Sequence, residues 1–569
     1  MHSEVKSVDP ENSSDIYSAL VFSFFLLKKF VIIRLCEMSG IEENFEEIEI
    51  PSDCESHDDI ENSEDESSII ENVVLEESFE FSDDTVRDDM NGDVDEDDDT
   101  PLSVRNERMD GIWEKKRKRS FNPPFTEETG PKNFSDDIQN PGEVFLCLFS
   151  EQIIQLIVEQ TNLYIKHKGM VSEATTSEEI MKFLGLNILM GMKRLPSYRD
   201  YWSTNLQMND PYISSVMPVK RFSFLLSNLH LNDTSKEPKR NEPGYDKLYK
   251  VAPFLDIVSE TYKHFYNPTK NQAIDESMIK FKGRSSMKQY MPMKPIKRGY
   301  KVWVRADEYG YICEFQMYTG KIGNKTESLL GERVIKDLSQ VLAHKNYRIY
   351  FDNYFTTVNL MASLLNDGIL ACGTVRKDRK DLPKIQEVEK NMSPGDSEFR
   401  TSYKGVQWLK WIDKKPVHFL SNFHDPSVIS HVNRRQKDGS LREVTCPQMA
   451  KDYNSHMGCV DKADMLKSYY EISRKSKKWW HRIFWHFVDA TLVNSFIIYR
   501  LLFPTENLSL KNFRLSVVDH LIGVPNRPKR GRPSIKYTLP HQKPKVCDTI
   551  RTSQVSHFPG VQTRRRCSQ

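Results

Sequence analysis

The segment 272–284, QAIDESMIKFKGR, places an acidic residue, Asp275, inside an otherwise apolar β-strand pattern. A carboxylate in such a strand loses its hydration and therefore needs a partner that neutralises it. Two partners remain open, a structural ion pair or the divalent cation of an enzyme that acts on phosphodiesters, and this segment alone favours the ion pair. Basic residues crowd the following stretch, namely Arg284, Lys288, Lys294, Lys297, Arg298, Lys301 and Arg305.

Acidic residues are concentrated in one part of the chain. Residues 41–100 hold 27 Asp and Glu residues against a single basic residue, Arg87, which gives a local charge of −26. The 569-residue chain carries −1 overall, so the remainder carries +25. A chain of this length accommodates two or three domains, and a cationic body with an acidic arm indicates a polyanionic partner. Such an arm would also screen the basic surface within the same molecule.

The N-terminal region predicts little folded structure. In residues 1–37 one apolar stretch is interrupted by two lysines and is too short to cross a bilayer. We interpret it as an upstream extension and expect no membrane association. Residues 38–122 lack apolar periodicity and predict a disordered acidic region. It ends in the basic run 115–119, which fits nuclear import, DNA contact or a solvated linker, and import is favoured.

A helical pattern characterises residues 123–268. Between Phe145 and Leu231, three segments repeat apolar residues at i, i+3, i+4 and i+7. Ser177 and the two glutamates after it predict a helix start, and two later prolines predict turns. This part therefore predicts an all-helical domain.

Residues 269–376 change to a β pattern. A hairpin is predicted around the turn 307–310, followed by helix, strand, helix and strand, which together predict a mixed α/β sheet. The strand that begins at Tyr347 ends in Asp352, directly before a helical stretch. A carboxylate at the C-terminal end of a strand opens onto the crevice where α/β sheets bind their ligands.

The remaining parts alternate between strands and helices. Residues 377–450 predict a β-rich insertion, in which Trp408 and Trp411 could stack on bases or fill a small core, with the core favoured. Residues 451–472 predict a helix that carries two aspartates, described next. Residues 473–525 have a basic entry and a strongly apolar helix, and residues 526–569 form a basic tail.

Asp461 and Asp464 are spaced at i and i+3, so both project from one face of the predicted helix. Two like charges at this spacing destabilise a helix unless something neutralises them, and Lys462 between them points elsewhere. A divalent cation would neutralise both carboxylates. The alternative is a solvated acidic face.

The chain contains, in this order, the blocks DYW, RFSFLLSNLHLND, AIDESMIKFKGR, IYFDNYFTT and GCVDKADM with SRKSKKWW. Together these blocks resemble the piggyBac family of DNA transposases and the genes derived from them, over about residues 125–525. The resemblance implies a ribonuclease-H-like α/β catalytic core with a β-rich insertion. It also implies a split all-α domain that dimerises and binds DNA on both sides of that core, and excision and rejoining of DNA at TTAA.

The resemblance also assigns site residues. Asp275, Asp352 and Asp461 match the three catalytic aspartates of the family, and Asp464 matches a further important aspartate. One of Trp479 and Trp480 matches a tryptophan near the DNA hairpin, and which of them does so stays open. The other expected DNA contacts are Arg284, Lys297, Arg298, Arg530 and Arg532.

Phosphoryl transfer on DNA needs neutralised charge and an in-line nucleophile, which two Mg²⁺ ions supply. As in related nucleases, Asp275 would bridge both ions, while Asp352 and Asp461 would each hold one. Many family members end in a Cys- and His-rich zinc domain, whereas this chain reaches a lone would-be ligand, Cys567. One cysteine does not build a tetrahedral site, so zinc is not expected.

Arg530 and Arg532 lie in RPKRGRP, residues 527–533, which resembles an AT-hook. Arginines of such a motif enter the narrow A·T minor groove, and a second import signal or a linker is the alternative. The sequence as a whole predicts a nuclear, dimeric, DNA-acting transposase. The alternatives are a domesticated DNA-binding protein that retains the fold without strand transfer, and an unselected transposon remnant.

Overall fold

The computed structural model describes residues 113–116, 122–292, 294–320, 327, 329–383, 392–435, 440–474, 476 and 478–523. The predictions for residues 1–37, for the acidic segment up to residue 112 and for the tail, with Arg530, Arg532 and Cys567, lie outside these residues. One described part of the region predicted to be disordered is ordered. Strand β1 (Trp113–Glu114) pairs antiparallel with a strand at 397–402, and the Trp113 indole donates to the Asp381 carbonyl at 3.0 Å. The backbone pairing and this side-chain anchor correct the prediction at its C-terminal end.

The first helical part is built from amphipathic helices, as the apolar periodicity predicted. A short antiparallel ladder joins its two ends, with β2 (Gly130–Pro131) against β3 (Tyr266–Asn267). The predicted start at Ser177 is confirmed, because Thr176 before it accepts a hydrogen bond from the Glu179 amide. The helices are α1 (Pro141–Leu148), α2 (Glu151–His167), α3 (Ser177–Met192), α4 (Pro211–Val216), α5 (Val219–Asn228) and α6 (Ala252–Phe265).

The central part alternates strands and helices in the predicted order. Its elements are β4 (Asn271–Lys280), β5 (Gln289–Tyr290), β6 (Arg298–Asp307), β7 (Ile312–Met317), α7 (Leu330–Ser339), β8 (Arg348–Phe351), α8 (Val358–Asn366) and β9 (Leu370–Val375). The strands lie side by side in the order β7-β6-β4-β8-β9. Strands β4, β6 and β7 pair antiparallel, whereas β4, β8 and β9 pair in parallel.

The predicted hairpin turns around a buried carboxylate. Asp307 accepts hydrogen bonds from the amides of Tyr309 and Tyr311, both at 3.1 Å, and from the Tyr266 hydroxyl at 2.6 Å. Gly310 in the same turn has a φ of +83°, which favours glycine. Burial raises the pKa of Asp307 to about 6, although the hydrogen bonds from Tyr266 and three amides oppose the shift.

The β-rich insertion extends the central sheet. Its strands are β10 (Ser397–Ser402), β11 (Gln407–Ile412), β12 (Pro416–Ser421), β13 (Ile429–Arg435) and β14 (Leu441–Pro447). Strand β12 pairs antiparallel with β9, so a ten-stranded sheet runs from β1 to β5, while β13 and β14 form a separate hairpin. Trp408 and Trp411 are each 3% exposed, which confirms that they fill the core.

The last part returns to helices and completes the first helical part. Its helices are α9 (Gln448–His456), α10 (Cys459–Ser468), α11 (Trp479–Leu502) and α12 (Leu510–Ile522). Helix α12 packs against α1 and α3, and α11 packs against α1 and α6. A Cβ added at Gly185 in α3 would come within 2.8 Å of the Ile522 side chain, so these helices approach closely.

A buried ion pair fixes the connection between α10 and α11. Arg514, fully buried, donates to Asp489 at 3.0 Å and to the Tyr470 carbonyl at 2.6 Å. The other Asp489 oxygen accepts from the Ile472 amide at 2.7 Å. These contacts attach the chain that leaves α10 to both C-terminal helices.

Within the described residues, no single helix has the length and apolar character needed to cross a membrane. The bent pair α1 and α2 satisfies that test only when its two helices are taken together.

Candidate active site

Two predicted catalytic aspartates lie side by side at the same edge of the parallel strands. The β4–β8 pairing ends with Ile274 opposite Phe351, and the next residue of each chain is Asp275 and Asp352. Strand β8 ends there, as predicted. The Asp352 carboxylate then accepts a hydrogen bond from the amide of Tyr354, two residues further on, at 2.9 Å. The pairing register of the two strands therefore brings Asp275 and Asp352 together, although they are far apart in the sequence.

The other two predicted aspartates lie on α10, which packs across β4 and β6. The helix confirms that Asp461 and Asp464 share a face, and Lys462 points away to donate to the Glu308 carbonyl at 3.0 Å. Asp464 accepts from the Ser277 hydroxyl of β4 and from Lys467, both at 2.7 Å. Asp464 thus connects the helix to the strand that carries Asp275.

The electrostatics of Asp275 show that these carboxylates converge. Burial raises the pKa of Asp275 from 3.8 to about 8, against the opposing effect of the Lys294 ammonium. The negative charges of Glu276, Asp352 and Asp461 raise the pKa of Asp275 further. Burial and the charge of Glu276 also raise the pKa of Asp352 above its ordinary value. Asp352 and Asp461 therefore both act on Asp275, and a positive charge at this place would be stabilising.

Lys294 supplies part of this positive charge. The sequence alone groups it with six other basic residues and does not single it out. Its ammonium lies 3.4 Å from an Asp275 oxygen and 3.3 Å from a Glu276 oxygen. Lys301 adds a weaker contact to Glu276 at 3.8 Å. Burial opposes ionisation of Glu276, but Lys294 and Lys301 hold its pKa below the ordinary value. The structure thus shows Lys294 as a cationic neighbour of Asp275, and the metal interpretation stays a prediction.

The donor chemistry around Asp275 fits a hard divalent cation, because the converging ligands are carboxylates in a partly buried site. In this structure, however, these carboxylate side chains do not surround a single point at which one metal ion could bind. Across the described ranges, no group of three or more His, Cys, Asp or Glu side chains is arranged to hold one metal ion. Lys294 lies within this carboxylate group, and its ammonium neutralises part of the charge.

The predicted DNA contacts separate into exposed and buried residues. Arg284, Lys297 and Arg298 are exposed around β5, and Arg298 lies over the Tyr290 ring at 5.3 Å. Trp480 is 3% exposed and packs in the helical core. Trp479 is partly exposed, and its ring centroid lies 6.4 Å from that of Tyr300. The Trp480 side chain therefore belongs to the core, which leaves Trp479 as the more accessible of the two, and the DNA contact stays a prediction.

The chain is similar to known proteins over most of its length. A family model described as Transposase IS4 matches residues 140–496, more than half of the chain. Human PiggyBac transposable element-derived protein 3 is 32% identical over 451 residues, which cover 76% of this chain and 74% of that protein. The chain belongs to the piggyBac transposase family.

Two further piggyBac proteins extend the comparison. Human PiggyBac transposable element-derived protein 2 is 26% identical over 439 residues, covering 74% of this chain and 73% of that protein. The solved piggyBac transposase synaptic complex with hairpin DNA superposes with a TM-score of 0.63 at 26% identity, covering 77% of this chain and 90% of that chain. The large mixed sheet and its helices are consistent with a transposase catalytic core.

Proposed function

We propose that this protein is a metal-dependent DNA strand transferase that cuts and rejoins DNA at TTAA, as the piggyBac resemblance implies. The observation that carries the proposal is the register of two adjacent parallel strands, which brings Asp275 and Asp352 to one edge. Helix α10 adds Asp461 to the same electrostatic cluster. Three acidic side chains from distant parts of the sequence rarely converge without a cation to bind, because their mutual repulsion destabilises the fold.

The strand arrangement supports a ribonuclease-H-like core. Strands β7, β6 and β4 form an antiparallel unit, and β8 and β9 continue it in parallel. Asp275 lies on β4, Asp352 directly follows β8, and Asp461 lies on the helix that packs across β4 and β6. This arrangement supports the proposal that these aspartates act together.

Asp275, Asp352 and Asp461 would hold Mg²⁺, and the bound metal would neutralise the phosphoryl oxygens and activate the attacking oxygen. The protein's own contribution is orientation. Ser277 and Lys467 fix the carboxylate of Asp464, and the Tyr354 amide fixes that of Asp352. The exposed cations at 284, 297 and 298 would attract the DNA backbone. The protein would act as a dimer in the nucleus.

The test is cleavage and strand transfer by the purified full-length protein on TTAA-flanked duplexes with Mg²⁺. We expect cutting at TTAA that EDTA, Asp275→Ala and Asp352→Ala each reduce to background. Asp136→Ala removes an exposed aspartate outside the cluster and should leave the rate unchanged.

The alternative function is a domesticated DNA-binding protein that retains the fold. The human relatives are named transposable element-derived proteins, which is the observation that favours it. DNA binding without any cutting, and unaffected by Asp275→Ala, would establish this alternative.

A further inference from the structure

A lysine side chain lies among the carboxylates of the candidate active site. The Lys294 ammonium is within 3.4 Å of Asp275 Oδ2, 3.3 Å of Glu276 Oε1 and 3.2 Å of the Glu276 carbonyl oxygen. Its side chain is 20% exposed, and those of Asp275 and Glu276 are 14% and 10% exposed. This is a partly buried ion-pair cluster, in which each charge is weakly screened by water and by salt.

The Lys294 ammonium is shared by two residues at nearly equal distances. Glu276 supplies two acceptors to Lys294, its backbone carbonyl and its carboxylate, while Asp275 supplies one oxygen. Asp275 and Glu276 are neighbours on β4 and start toward opposite faces of the sheet, yet the ammonium reaches both. Glu276 therefore supplies two of the three contacts that keep the ammonium beside Asp275.

In the proposed function a divalent cation would be held by the Asp275 carboxylate, and the Lys294 ammonium lies 3.4 Å from one oxygen of that group. A metal ion there would meet the Lys294 ammonium as a like charge at contact range, so the ammonium must withdraw or the metal must bind more weakly. Lys301 is placed differently, because it reaches Glu276 at 3.8 Å and lies over the Tyr354 ring at 4.9 Å, and its charge acts on Asp352.

We propose that Lys294 is a positioning residue which acts as an internal counter-ion of Asp275, held in place by Glu276, and that divalent cations must displace it to bind. The proposal rests on the proposed metal-dependent function. In the metal-free protein, the lysine orients the Asp275 carboxyl group and neutralises part of the negative charge around it. Metal binding then releases an ammonium next to the reaction centre, where a DNA phosphate is the available acceptor.

The test measures Mn²⁺ affinity by isothermal titration calorimetry of the full-length protein at fixed pH and without DNA. We expect Lys294→Met to bind Mn²⁺ at least about tenfold more tightly than the wild type, because the competing charge is gone. Lys294→Arg keeps the positive charge and should retain the wild-type affinity. Asp275→Asn should lose this binding, which assigns the measured heat to the site.

Lys301→Met is the matched control, because it removes the same charge from the same cluster without a contact to Asp275. We expect its affinity to change by less than about threefold. An equal gain in both Met variants would show a general effect of net charge and overturn the proposal, as would unchanged affinity in Lys294→Met or a gain in Lys294→Arg. Should Lys294→Met fail to fold, Lys294→Gln replaces it.

This design separates the two proposals. Asp275-dependent Mn²⁺ binding that is insensitive to residue 294 would refute the counter-ion role and leave the proposed function intact. Absence of Asp275-dependent binding in every variant would contradict both.

Discussion

Replacing Asp275 by asparagine should stabilise the metal-free protein, and the gain should grow with pH. The pKa of Asp275 is about 8 in the folded chain against 3.8 for the free group. The folded state therefore holds a proton that the unfolded state has lost. The stability from this proton is present below about pH 4 and disappears as the pH rises through about 8. Asparagine has no such proton to lose, so the variant escapes this cost.

The size of the effect follows from the shift. Each pKa unit corresponds to ~1.4 kcal/mol, so the advantage of Asp275→Asn would grow by at most ~4 kcal/mol between pH 5 and pH 8. Relaxation of nearby water and side chains on ionisation reduces this, and we expect a growth of ~2 kcal/mol. Urea unfolding in EDTA, followed by tryptophan fluorescence at several pH values, measures the difference directly.

Asp136→Asn is the control, because it removes an exposed carboxylate away from the cluster. The difference in unfolding free energy between Asp136→Asn and the wild type should not change between pH 5 and pH 8. An Asp275→Asn advantage that stays constant or shrinks over the same range would refute the electrostatic account of the site. The cluster would then be relaxed enough for Asp275 to ionise at no cost to folding.

Three further changes test other parts of the structure. Asp307→Asn should lower the unfolding free energy by ~2–4 kcal/mol, since an amide group would face hydrogen-bond donors in the hairpin turn; an unchanged melting temperature would contradict this. Arg514→Leu should cost ~3–5 kcal/mol by leaving Asp489 buried without its partner, and Asp489→Leu added to it should recover part of the loss; thermal unfolding of both variants checks the recovery. Trp480→Ala should destabilise the chain by ~3 kcal/mol, whereas Trp479→Ala should change stability little and weaken binding of hairpin DNA in a gel-shift assay; the reverse pattern would contradict the core assignment.

The fold was predictable where the signal is local. Helical periodicity, the hairpin at 307–310, and the strand that ends at Asp352 are all confirmed, because each depends on residues close in sequence. What the sequence did not reveal is strand register between distant segments. Neither the pairing of β12 with β9 nor the addition of β1 to the sheet leaves a local pattern.

The candidate site divides in the same way. The i, i+3 spacing of Asp461 and Asp464 predicted one helical face, which the structure confirms. The partner of Asp275 could not be chosen from composition, because seven basic residues lie between 284 and 305 and only the folded loop brings Lys294 close. The hydrogen bond between Ser277 and Asp464 spans 187 positions and depends on how α10 crosses the sheet, which no motif encodes.

The helical unit of this protein is assembled from both ends of the folded chain. Helices α1, α3 and α6 bury their apolar faces against α11 and α12, which begin roughly 200 residues after α6 ends. At a synthesis rate of about 5–20 residues per second, roughly 10–40 s pass between the synthesis of α6 and that of the helices that cover these faces. A nascent chain released before residue 479 would therefore expose a half-built core. The apolar faces of the first helices therefore stay uncovered for as long as the central sheet is being translated, and exposed faces of this kind favour aggregation.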